Sequence, residues 1–159
     1  MTPQGRGSTP QGPGRGSTPR RRRRATLGTC GATHLLHDGL TDGLFVLIPL
    51  WTEAFGLSLT QAGLLKTVFS GTLSATQIPA GVLAERCGER IILAAGTVCV
   101  GVGYMCLGIA GGFAGLLLAL VVAGLGCGTQ HPLSSSLIAK AFEPAMRRTA
   151  LGTYNFSGD

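Results

Sequence analysis

His34, His37, Asp38, Thr41 and Asp42 follow one another at i, i+3, i+4, i+7 and i+8. At about 3.6 residues per helical turn, these spacings place them on one face of a helix, as a polar stripe in an otherwise apolar run. A histidine one turn from a carboxylate can share a proton with it or pass it on, and the two groups then titrate as a pair. A second polar group, His131-Pro132 followed by Ser134, Ser135 and Ser136, stands in a later apolar run. Proline removes a backbone donor there and frees a carbonyl, which lipid tolerates only against protein or a water-lined cavity. Asn155 and Asp159 supply a third polar group near the end of the chain.

Satisfying one another as interhelical glue would account for a lone His or Ser. For two Asp, two His and Thr41 on one face, proton handling or substrate contact is the better account, because intramembrane acids are costly and usually face a pathway. His34, His37, Asp38 and His131 also have the chemistry of metal ligands, but their spacing resembles no known ligand motif. Protons are therefore the expected partner, with no metal and no cofactor.

Helices that cross a bilayer must position these groups. Ala62 to Ala84 carries Lys66 as its only charge, and Ile91 to Phe113 carries none. About 20 apolar helical residues match a hydrocarbon core of about 30 Å. Spans read as 27–52, 61–84, 91–111 and 114–140, with a fifth starting near Thr149. The expected fold class is thus an all-α transmembrane bundle of four helices and the start of a fifth, filling residues 25–159. At about 1.5 Å per residue, His34 lies about 10 Å and Asp38 about 16 Å inside the first span, and His131 about 13 Å from the end of its own. Asn155 and Asp159 fall about 9 and 15 Å along the fifth, so three helices can converge on one cavity. Lys66 lies near a span boundary and is expected to snorkel to the headgroups rather than bind substrate. Gly39/Gly43, Gly108/Gly112 and Gly124/Gly128 are candidate points of close helix approach. The final span is too short to cross the core, which makes a longer membrane protein the expectation, with this part alone not transporting anything.

Charge is distributed unevenly. Seven of the thirteen basic residues, Arg6, Arg15 and Arg20 to Arg24, precede Ala25, and no acid does. The other six bases face seven acids, so the body is net −1 and the basic character belongs to the arm. Residues 1–24 repeat Gly-Arg-Gly-Ser-Thr-Pro and hold little that is apolar, which predicts a disordered basic arm. An arginine block before an apolar segment reads as a cytoplasmic orientation signal ahead of nucleic-acid binding, and contact with anionic lipid fits the same chemistry. Arg86, Arg90, Lys140, Arg147 and Arg148 all fall on the same predicted side, while Trp51–Thr60 and Gly111–Phe113 carry no Lys or Arg. The chain is accordingly expected to cross the inner (plasma) membrane several times, with its amino terminus on the cytoplasmic side. A cleaved signal peptide is disfavoured by His34, His37, Asp38 and Asp42 in the first apolar run. Cys30, Cys87, Cys99, Cys106 and Cys127 lack metal-type pairing, and no disulfide is assigned.

The segment Gly81-x-Leu83-Ala84-Glu85-Arg86-x-Gly88-Glu89-Arg90 resembles the loop motif between helices two and three of the major facilitator superfamily. It departs at Glu85, where the family usually has Asp, and at Glu89, where a basic residue is usual. The resemblance implies a gating role for Gly81, Glu85, Arg86, Gly88 and Arg90, through charge contacts with the opposite half of a transporter. His34-x-x-x-Asp38, Leu57-Ser58-x-x-Gln61-x-Gly63-Leu64 and His131-Pro132-x-Ser134-Ser135 are similar to the fosmidomycin resistance protein group within that superfamily. His37 and Gly158-Asp159 depart from that group's pattern and leave the substrate open.

The resemblance implies a secondary transporter that exports a small organic solute or drug by proton antiport, in lipid, completed by a carboxyl-terminal half. An uptake carrier without proton coupling and a non-transporting sensor or scaffold are the rival expectations. An intramembrane enzyme is disfavoured, because nothing here pairs a nucleophile with a base beyond the His/Asp stripe.

Overall fold

The computed structural model describes residues 18–158, and every regular element among them is helical. The elements are α1 (Pro19–Phe55), α2 (Leu59–Cys87), α3 (Glu89–Gly108), α4 (Phe113–Cys127), α5 (Gln130–Ala141) and α6 (Pro144–Phe156). α4 and α5 are two parts of one rod. Pro132 has no N–H to offer the Gly128 carbonyl, and the break falls at Gly128–Thr129, both in right-handed helical conformation. Two stretches, Glu89–Gly108 and the combined Phe113–Ala141, are long and apolar enough to cross a membrane. Large apolar side chains such as Ile78, Val98, Met105, Ile109 and Leu118 point outward.

Local sequence explains where the helices stop. Gly56 adopts the left-handed conformation, φ 59°, and closes α1 by donating its N–H to the Glu53 and Thr52 carbonyls. Ser58 then caps α2 in a reciprocal box: its hydroxyl accepts from the Gln61 N–H at 3.2 Å, and its own N–H donates to Gln61 Oε1 at 2.9 Å.

Three expectations about the elements are corrected. The segment Glu85–Arg90, expected to lie between two spans, is almost wholly helical: only Gly88 leaves the helices, at φ 91°, a value glycine tolerates and other residues do not. Glu85 and Arg86 end α2, while Glu89 and Arg90 begin α3. The fifth helix begins at Pro144 rather than Thr149, because proline suits the first helical position and Arg147 holds the Phe142 carbonyl at 3.1 Å. Arg20 to Arg24 form the start of α1 rather than part of a disordered arm. Helix propagates cheaply back from the apolar run once nucleated, and Arg23 is anchored to Glu143 at 2.6 Å. Residues 1–17 lie outside the described residues.

Glycine seams hold the bundle around α4. A Cβ on Gly124 would fall 2.9 Å from the Phe69 carbonyl oxygen, and one on Gly128 would fall 2.7 Å from Thr76 Cβ, so α4 packs closely on α2 there. On the opposite side, a Cβ on Gly126 would meet the Val100 nitrogen at 2.7 Å, and one on Gly103 the Ala123 nitrogen at 2.6 Å. Among the described residues, a Cβ on Gly39, Gly43, Gly108 or Gly112 would meet nothing within 4 Å, so of the three expected glycine pairs Gly124/Gly128 is the one in contact there. Leu44, Leu65, Phe69, Val100, Leu116 and Leu120 fill the main core. Cys30, Ile138, Ala150 and Tyr154 make a second core between α1, α5 and α6.

Candidate functional site

The close packing of α1 against α5 and α6 brings His34, Asp38 and His131 together. His34 Nδ1 lies 2.9 Å from the Tyr154 carbonyl, which can only accept, so Nδ1 carries a hydrogen. His34 Nε2 lies 2.8 Å from Asp38 Oδ2. A neutral His34 would then present a bare lone pair to a carboxylate. The contact therefore requires one further proton, held either as imidazolium facing carboxylate or as carboxylic acid facing imidazole.

The pair is shielded from one side and open on the other. The His34 side chain is 4% exposed, that of Asp38 26% and that of His131 46%. His34 stacks on the Tyr154 ring at 4.4 Å between centroids and meets the His131 ring edge-on at 5.0 Å. His131 Nε2 stands 3.7 Å from Asp38 Oδ1, within ion-pair range but too far for a hydrogen bond. Gly158 closes the far side: a Cβ there would fall 2.6 Å from both Asp38 Oδ2 and His34 Nδ1.

The rest of the stripe is dispersed. His37 is buried and turns to α3, where its Nε2 lies 3.2 Å from Thr97 Oγ1. The Thr97 hydroxyl donates to the Leu93 carbonyl at 3.0 Å, so it accepts from His37 and leaves His37 Nδ1 without a partner. Thr41 donates to the His37 carbonyl on its own helix, and Asp42 is exposed with no ion pair among the described residues. Asn155 is exposed, next to the buried Tyr154 on α6. Asp159 lies outside the described residues.

Tyr154, Gln130 and Thr97 escaped the sequence reading. Gln130 is fully buried beside α1, its Nε2 3.4 Å from the Cys30 carbonyl. Ser134 Oγ and the Tyr154 hydroxyl are buried without hydrogen-bond partners. A polar Gln and an aromatic flanking the two chosen residues His131 and Asn155 were the available signal. A cleft of about 620 Å³ between α1 and α3 is lined partly by Thr33, Leu93 and Thr97, and it contains no stripe residue. A larger one, about 780 Å³, lies at the arginine end and contains no stripe residue.

At that end, Glu85 and Arg86 are exposed, and no ion pair joins either of them, or Arg90, to another described residue. Glu89, the departure from the usual motif, makes the contacts instead. It accepts from Lys140 Nζ at 2.8 Å and from the Ser136 hydroxyl, tying the start of α3 to α5. Lys66 Nζ stands 3.6 Å from the ring centroid of Phe45, three residues beyond Asp42 on α1.

The family model of the Major Facilitator Superfamily matches residues 31–158. The fosmidomycin resistance protein of Escherichia coli K12 is 29% identical over 115 residues, 72% of this chain and 28% of that protein. The multidrug export protein EmrB of Escherichia coli K12 is 31% identical over 113 residues, 70% of this chain and 22% of EmrB. The chain thus spans about a quarter of the length of these curated relatives. No solved structure matches it. With the whole triad and its Tyr154 and Gly158 supports inside the matched stretch, the chain belongs to the major facilitator superfamily.

Proposed function

We propose that this chain supplies the amino-terminal helices of a membrane-embedded secondary transporter that exports a small organic solute in exchange for protons. The observation that carries the coupling is the His34–Asp38 contact, which needs one proton to exist. With that proton the pair is neutral overall and tolerable at membrane depth, where an isolated acid costs about 2.5–3.5 kcal/mol on insertion scales. Once the proton leaves, the carboxylate faces a bare nitrogen and the pair parts. Asp38 then turns toward His131 and the open side, where solute competes for it. A proton and a solute that stabilise different arrangements of one site shift the balance between inward- and outward-facing states.

Export is favoured by the kinship with one protein named for resistance and another named for multidrug export. In this reading Arg20 to Arg24, Arg86, Arg90, Lys140, Arg147 and Arg148 lie on the cytoplasmic side. Glu85, Arg86 and Arg90, turned outward around Gly88, meet the remaining helices of the transporter, and Gly81 keeps that approach free of a side chain.

The test is Asp38→Asn in the full-length transporter, reconstituted in vesicles under an imposed pH gradient. The Asn amide can still donate to His34 Nε2, so the fold is retained while the exchangeable proton is lost. Flux driven by the gradient should vanish. Normal proton-driven flux in that variant refutes the assignment, and wild-type flux indifferent to the gradient replaces antiport with an uncoupled carrier.

A further inference from the structure

We propose that His34, Asp38 and His131 also form a site for a divalent transition-metal cation of the zinc class. The site stands on geometry and is independent of the proton reading above. One nitrogen from each histidine and one oxygen of Asp38 lie within 4.8 Å of one another, the only such cluster among the described residues. Zinc takes imidazole nitrogen and carboxylate oxygen at about 2.0–2.2 Å, and a tetrahedron of such bonds sets ligand atoms about 3.3 Å apart. The separations here, 2.8 Å from His34 Nε2 to Asp38 Oδ2 and 3.7 Å from His131 Nε2 to Asp38 Oδ1, lie on either side of that spacing.

The supports fit as well. The Tyr154 carbonyl holds the hydrogen of His34 on Nδ1 and so leaves Nε2 as the free ligand, an arrangement typical of metal-bound histidine. His131 is the most exposed member and gives the ion a way in. The titratable groups nearby are His37 and Asp42 on α1, Cys127 on α4 and Tyr154 on α6, none of them a fixed cation. Two imidazoles and one carboxylate suit zinc, cobalt or nickel and are poor company for calcium or magnesium, which prefer all-oxygen shells. Three protein ligands leave a coordination position for water or for a solute with a donor atom.

The experiment titrates Zn2+ and Co2+ into the untagged full chain in detergent, with exposed Cys87 and Cys99 changed to Ser, and follows binding by calorimetry and by the visible spectrum of Co2+. Expected are saturable binding at a single equivalent and visible Co2+ bands without thiolate character. His131→Gln should weaken binding about tenfold or more with helicity unchanged, and Asp38→Asn should abolish it. If Zn2+ fails to bind, the metal inference falls while the proton reading, tested by flux in the full-length transporter, is untouched. Binding undiminished in both variants places the ion elsewhere and overturns the site.

Discussion

The backbone at Gly158 lies against the His34 ring, with room for a hydrogen and none for a methyl group: a Cβ would stand 2.6 Å from Nδ1. His34 cannot swing away, because Tyr154 stacks on one side and its carbonyl binds Nδ1. Gly158→Ala should therefore push the end of α6 off the pair and cost about 1–3 kcal/mol. A thermal melt in detergent would read the loss, and NMR of the imidazole should show the His34–Asp38 proton exchanging faster. An unchanged melt and unchanged exchange would mean that the end of α6 does not seal the site.

Thr97→Val tests the second histidine. Valine keeps the shape of Thr97 but removes the acceptor for His37 Nε2, leaving a buried ring with both nitrogens unpartnered. A cost of about 1–3 kcal/mol is expected. His37→Phe in the same background should recover much of it, since the polar group left without a partner is then gone. Equal losses in the single and double variants would separate Thr97 from His37.

Two glycine-to-alanine changes should move stability in opposite directions. Gly103→Ala drives a methyl into the Ala123 backbone and is expected to destabilise by about 1–3 kcal/mol. Gly39→Ala meets nothing within 4 Å and removes a flexible residue from a helix interior, so a gain of about 0.5–1 kcal/mol is expected. Thermal unfolding of the two variants side by side settles the seam: loss at both positions would mean that Gly39 also lies at a contact.

Glu89 and Lys140 should respond unequally. The Glu89 side chain is 14% exposed and also accepts from Ser136, whereas that of Lys140 is 71% exposed. Glu89→Ala strands the Ser136 hydroxyl and should loosen the α3–α5 junction, costing about 1–3 kcal/mol. Lys140→Ala leaves the Ser136 bond in place and should change little. Spin-label distances between the start of α3 and the end of α5 would broaden only in the Glu89 variant.

Much of the architecture was legible along the chain. The apolar runs marked the helices, Ser58 and Gln61 sit at capping spacing, and the motif read between the second and third spans contains Gly88, the residue that separates α2 from α3. Errors came where local chemistry was weighed without its neighbours. Arg20 to Arg24 looked unable to fold alone, but they extend a helix nucleated further on and are held by Glu143, distant in sequence. On α6 the sequence offered Asn155 as the polar residue, and it is its neighbour Tyr154 that packs on His34.

By itself, the order of residues determined that His34 and Asp38 stand one helical turn apart and can share a proton, because that spacing is a property of any α-helix. Whether His131 joins them, whether His37 turns to Thr97, and whether Glu89 rather than Glu85 holds the arginine end were decided by tertiary structure. Those outcomes depend on how each helix is rotated and how closely it approaches its neighbour. The glycine seams on both sides of α4 help set that rotation and distance.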